Sequence, residues 1–241
     1  MDLLLPKPLR IVAFLLAFLC LPANAKPSLI PGAAVQLILV TPDNLGRPKG
    51  RMRLYARADA AAPWKQSGNN APIVGGVKGF AWGWDQTAVP PLPKDTLRKS
   101  EGDKRTPMGV FALGSPFGFS EDQRARYLRL LAGKTFCVDD LDSPEYGKIV
   151  DRSALPKETT GEDMATIPLY RSGFLVSFPA NAERKSGSCI FLHVWRAPKS
   201  GTGGCIAMDA STMKTLQNWV KPGAVIAILP GAPSDTLAML R

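Results

Sequence analysis

The sequence predicts a single, mainly β domain with a few helices (α+β). Three features carry that expectation. The 241 residues suffice for one domain with a substantial core and fall short of two ordinary ones. Proline and glycine, 22 of each, interrupt the chain often and favour turns over long helices. Most apolar runs are short, and several alternate at the period of two that suits strands.

Read in order, the chain opens on an export signal. Lys7 and Arg10 precede an unbroken apolar run from Ile11 to Leu21, and Ala23-Asn24-Ala25 supplies an A-x-A cleavage site, so residues 1–25 are expected to be removed. The run is too short for a stable bilayer anchor. A lipid anchor through Cys20 is the alternative, although Leu19 is bulky where a small residue is wanted. Residues 26–34, with two prolines, read as a linker, and 35–241 as the domain. The mature protein is therefore expected outside the cytoplasm, in the periplasm or cell wall.

Strands are predicted at 35–40 and 51–57, forming a hairpin across a loop that contains Gly46, Pro48 and Gly50. Further strands are expected at 73–77, 109–113, 173–178, 189–195 and 224–229. Two segments read as helices. Residues 120–131 open on Ser120-x-x-Gln123, a capping box. Asp209 is a good N-cap for a second, running to Val220 and stopped by Pro222 and Gly223. Trp82 and Trp84, in the run from Gly79 to Trp84, are read as core filling rather than as a sugar or peptide groove.

The formal charge is +10, and loss of Asp2, Lys7 and Arg10 with the signal subtracts only one unit. Such an excess suits polyanionic surroundings. Export and the lack of any nucleic-acid motif exclude DNA or RNA, leaving anionic wall polymer or lipid headgroups, or simply a soluble basic surface. One histidine and dispersed carboxylates make a poor metal-ligand set, so no metal and no cofactor are expected. Without Cys20 the chain keeps Cys137, Cys189 and Cys205, an odd number in an oxidising compartment. Three pairings are open, and so is a thiol kept free for chemistry.

The chemistry concentrates in Ser188 to Met208, SCIFLHVWRAPKSGTGGCIAM. His193 is the only histidine. Alternation puts Ile190, Leu192 and Val194 on one strand face, the natural core side, and Cys189, Phe191, His193 and Trp195 on the other. Thr202-Gly203-Gly204-Cys205 follows a loop rich in Gly, Pro and Ser. Glycines before a cysteine allow close backbone approach and can leave N–H groups free for an oxyanion. A thiol beside a histidine base is expected as the thiolate that attacks an acyl carbon. A buried structural cysteine or half of a disulfide is the alternative.

The order His193, loop, Thr202-Gly203-Gly204-Cys205-Ile206 resembles the catalytic motif of the L,D-transpeptidase family of YkuD type. The upstream run from Gly102 to Phe111 is similar to that family's Thr-Pro-x-Gly-x-Phe segment. Gly203 stands where members usually carry a second histidine, and Ala207 where they carry an arginine. The interval from His193 to Cys205 is also short, and Arg196 closely follows the histidine, as in a divergent branch.

The resemblance implies a β-sandwich or barrel and Cys205 as nucleophile, with His193 as general base. Backbone donors to the oxyanion would come from Gly204 and Cys205, in the Thr202-Gly203-Gly204 turn. Arg196 is the candidate for binding a substrate carboxylate. A free Cys205 leaves Cys137 to pair with Cys189. The implied substrate is a peptidoglycan stem peptide, with a neighbouring stem or a wall-anchored protein as acceptor and a monomeric enzyme. Water as acceptor would make a hydrolase, and loss of activity a wall-binding module.

Overall fold

The computed structural model describes residues 30, 34–84, 92–122, 124 and 126–240. The expected export signal, 1–25, and nearly all of the linker, 26–34, lie outside the described residues. The first strands form the expected hairpin. β1 (Gln36–Pro42) pairs antiparallel with β2 (Lys49–Ala56), from Gln36 opposite Ala56 to Pro42 opposite Gly50. The chain continues through the short β3 (Lys65–Gln66), β4 (Ala71–Val74) and β5 (Phe80–Trp82) into the long β6 (Thr106–Gly118) and β7 (Leu128–Arg129). β8 (Thr135–Val138), β9 (Ile149–Asp151) and β10 (Gly161–Asp163) form a separate three-stranded sheet. β11 (Ser172–Val176), β12 (Phe191–Val194), β13 (Ile206–Met208), the helix α1 (Ala210–Trp219), β14 (Val225–Ile228) and α2 (Pro233–Met239) complete the chain.

The larger sheet runs β1-β14-β6-β11-β12-β13-β4-β2, and β2 returns to β1, so the strands close into a barrel. Closure removes the exposed edges that an open sheet would leave. One face of each strand fills the interior. Ile38, Val40, Met52, Leu54, Phe111, Phe174, Leu192, Ile206 and Ile226 pack there, joined by Met213 and Leu216 from α1. Each such aliphatic side chain, once buried, contributes about 2 kcal/mol by transfer out of water. α1 follows the expectation closely: the Asp209 carboxylate accepts the Thr212 N–H at 2.8 Å, and the helix ends at Trp219.

The predicted helix at 120–131 does not form. The Asp122 carboxylate accepts N–H bonds from both the backbone and the guanidinium of Arg124, a local turn that competes with a helix. Arg126 takes a positive φ of 63°, and Leu128–Arg129 then pairs with the end of β6. The extended path buries Leu130 in a second apolar cluster, which a helix would not reach. Helix α2 and three 3-10 turns, Arg152–Ala154, Met164–Thr166 and Pro168–Arg171, were not expected. Trp82 packs on two clusters as core, but Trp84 does not. It lies past the end of β5, 40% exposed, with the Arg98 and Arg184 guanidinium groups over its ring. No helix among the described residues is long and apolar enough to cross a membrane.

Candidate active site

β12 is buried on both faces. Ile190, Leu192 and Val194 enter the barrel core, as alternation requires, while Phe191 joins an outer cluster with Phe117, Tyr170, Cys137 and Cys205. β12 and β13 pair in parallel, Leu192 opposite Ile206 and His193 opposite Ala207. Cys205, two residues before Ala207, therefore falls on the His193 side of the sheet. Both line one cavity of about 330 Å³, with Trp195 and Arg196 at the same opening. Arg196 is exposed there and, among the described residues, pairs with no carboxylate.

The His193 ring is held from two sides. Its Nδ1 lies 2.9 Å from the Val194 carbonyl oxygen, which can only accept, so Nδ1 carries the hydrogen and Nε2 is the basic atom. Tyr170 packs edge-on against the ring at 5.2 Å. Burial pushes His193 down to about 4, so the imidazole is neutral near pH 7.

Cys205 is a free thiol, 7% exposed. Its Sγ accepts the Phe191 N–H at 3.4 Å and lies 3.7 Å from the Cys189 carbonyl oxygen. Burial, followed by the Glu162 charge, pushes the thiol up to about 12. The expected resting thiolate is thus corrected to a neutral thiol, in a cavity that the neutral imidazole also lines. A charge in so dry a place costs more than the Phe191 N–H and the more distant Lys99 return.

The two sequence motifs meet at the Cys205 carbonyl. It accepts the Thr202 hydroxyl at 2.6 Å and the wholly buried Thr106 hydroxyl at 3.1 Å. Thr202 is itself fixed by backbone bonds to Gly75 and Val77. The Gly204 N–H already donates to Thr202 Oγ1 at 3.1 Å. Of the two oxyanion donors expected, only the Cys205 amide is therefore uncommitted, and the Gly203 amide, among the described residues, is free as well. Gly204 sits closely against the chain leading into β6: a Cβ there would lie 3.2 Å from the Arg105 carbonyl oxygen, which would have to give by a few tenths of an ångström.

Cys137 and Cys189 form a disulfide, with Cα atoms 6.3 Å apart, tying the three-stranded sheet to the start of the His193 strand. Several site residues escaped the sequence. Lys99, 2% exposed, lines the cavity and donates to Asp103 Oδ1 at 2.7 Å and to the Ser100 carbonyl. Glu162 and Tyr170 line it from the outer sheet and the third 3-10 turn. Their only sequence signals were a Lys–Asp pair spaced by four and an isolated aromatic, neither specific. Among the described residues no group of His, Cys, Asp and Glu is placed to hold a metal ion.

The profile of the L,D-transpeptidase catalytic domain family (YkuD) matches residues 51–228, most of the barrel and every residue named at the site. No curated protein matches the chain. Among solved structures, that of Bd1075 from Bdellovibrio bacteriovorus is similar at 15% identity, with a TM-score of 0.43. The similarity covers 88% of this chain and 55% of that one, so the chain spans about half the length of that protein.

Proposed function

Because the chain belongs to the L,D-transpeptidase catalytic-domain family, we propose that it is an exported cysteine acyltransferase acting on peptidoglycan stem peptides. The observation that carries this reading is the placement of the only histidine and the free cysteine on one side of adjacent strands, facing one cavity. The resting pair is neutral, so attack and proton transfer go together. As Sγ bonds to the carbonyl carbon before the terminal D-residue, the thiol proton passes to His193 Nε2. The carbonyl oxygen, now negative, takes N–H bonds from Cys205 and Gly203. Collapse breaks the C–N bond, and the imidazolium returns the proton to the leaving amine. An amine of a second stem, or of a wall-anchored protein, then resolves the thioester by the reverse steps. Arg196 at the opening suits the substrate carboxylate.

The test is incubation of residues 26–241 with a synthetic stem tetrapeptide, followed by intact-mass analysis. An acyl adduct on Cys205 with released D-amino acid, lost in Cys205→Ala, is the expected outcome. Crosslinked peptide indicates transfer and shortened peptide alone indicates hydrolysis. No adduct and no released amino acid would defeat the reading.

A further inference from the structure

Trp84 has no part in the acyl-transfer steps. It lies just past β5 and is 40% exposed, yet its ring is held in place. The indole Nε1 donates to the Lys99 carbonyl at 3.0 Å, and the Lys99 N–H donates to the Trp82 carbonyl at 2.8 Å. The Arg98 guanidinium, anchored on the Gly83 carbonyl at 2.9 Å, stands 5.7 Å from the ring centroid. That of Arg184 stands 5.8 Å away, on a loop closed by the bridge between Asn181 and Ser186. An exposed tryptophan flanked by guanidinium groups offers an apolar ring beside several N–H donors.

The same two loops line the reactive cavity. Lys99 and Glu101 face it from one, Gly187 and Ser188 from the other, and the Glu101 N–H donates to the Lys185 carbonyl to join them. Trp84 therefore borders the cavity where the chain enters β12, whereas Trp195 and Arg196 line it where the chain leaves. Cys205 lies between, its Sγ accepting the Phe191 N–H at the start of β12. In a donor tetrapeptide three residues precede the scissile bond, a reach of about 10 Å when extended. Gly187 and Ser188 stand three or four residues before Phe191, a comparable span of roughly 10–13 Å along an extended chain. With its terminal carboxylate at Arg196 and its scissile carbonyl at Cys205, the donor would bring its sugar-bearing end to the Trp84 side.

We propose that Trp84, with Arg98 and Arg184, is a subsite for the glycan strand from which the donor stem hangs. A pyranose ring has an apolar C–H face to stack on the exposed part of the indole. Its hydroxyl and acetamido oxygens accept from the guanidinium groups. The subsite rests on the acyl-transfer reading for its place in the reaction; the stacking itself does not. Trp84 makes and breaks no bond. It holds the sugar, and binding energy gained remote from the reacting carbonyl raises kcat/KM.

The test compares acylation of Cys205 by a disaccharide-tetrapeptide, its stem still on N-acetylmuramic acid and N-acetylglucosamine, with acylation by the free tetrapeptide. The ratio of kcat/KM should favour the sugar-bearing donor roughly tenfold, and Trp84→Ala should bring that ratio close to one. Equal rates for the two donors in the unaltered protein, or a ratio that survives Trp84→Ala, overturn the proposal. Should Trp84→Ala fail to fold by circular dichroism, Arg184→Ala decides, and a ratio lowered by less than about threefold overturns it. If neither donor acylates Cys205, the proposed function falls, and the subsite is judged by titration calorimetry with a peptide-free tetrasaccharide of the same sugars. Binding lost in Trp84→Ala then sustains the subsite; no binding, or equal binding by both proteins, overturns it. Binding that persists in Trp84→Ala but disappears at about 0.5 M salt marks a merely basic surface and overturns it too.

Discussion

The Thr106 hydroxyl donates to the Cys205 carbonyl at 3.1 Å across 99 residues of sequence, and accepts the Gly76 N–H at 2.8 Å. One buried hydroxyl thus joins β6, the loop after β4 and the turn that bears the thiol. Two motifs that look independent along the chain are one structural unit in space.

Replacing that hydroxyl by a methyl should be costly. Thr106→Val leaves the buried Gly76 N–H without an acceptor, a loss of about 2 kcal/mol. Thr106→Ser, which keeps the oxygen, should lose much less. Urea denaturation of the three proteins side by side measures the difference, and equal stability of the Val and Ser variants would contradict the role given to the oxygen.

Stability should be greatest between about pH 6.5 and about pH 9. His193 titrates lower in the folded chain, about 4 against 6.5, so between those values the unfolded chain binds more protons and stability falls as pH falls. Cys205 titrates higher when folded, about 12 against 9.0, so its contribution is complete below 9.0 and lost as pH rises towards 12. The histidine loss should be on the order of 3 kcal/mol by pH ~4. Urea midpoints measured against pH, with Cys205→Ala flattening the alkaline limb alone, check both arms.

Removing the disulfide should act on stability and site together. The bridge spans 52 residues, and Cys137→Ala with Cys189→Ala should cost about 4 kcal/mol in the chain-entropy account. The Cys189 carbonyl beside Sγ would lose its tether, so alkylation of Cys205 should accelerate as well. Guanidinium melts and thiol labelling give the two readouts. Labelling of oxidised, unfolded residues 26–241 should find one free thiol, at Cys205.

Gly203 and Gly76 should tolerate a side chain very differently. A Cβ at Gly203 meets nothing within 4 Å, so Gly203→His, the usual residue of the family, should change stability by no more than about 0.5 kcal/mol. A Cβ at Gly76 would stand 2.3 Å from the Lys104 carbonyl oxygen and 2.6 Å from Arg105 Cα, both backbone. Gly76→Ala should therefore lower the melting temperature sharply. A thermal melt of each is sufficient.

The sequence made the hairpin, the strands around the site and α1 legible because each is announced locally. Alternation marks β2 and β12, and the Asp209 cap marks α1. The helix at 120–131 failed for the same reason the others succeeded. Its capping box is a local signal, and the Asp122–Arg124 turn together with pairing to β6 outweighed it. Trp84 likewise reads as core from its hydrophobicity alone, while its position past the end of β5 leaves it at the surface.

At the site, the sequence by itself determined which atoms are available: a single histidine, a cysteine behind two glycines, and the strand face on which His193 stands. Those follow from residue identity and period-two alternation, which need no tertiary information. The fold decided what the atoms are. Burial leaves Cys205 a thiol and His193 a neutral imidazole, and closure of the barrel brings Thr106 to the Cys205 carbonyl. Packing of the outer sheet and the third 3-10 turn brings Glu162 and Tyr170, bonded to each other, to the cavity that Cys205 lines. Protonation and encounter depend on what lies around a group in three dimensions, and residues tens of positions apart carry no mark of it along the chain.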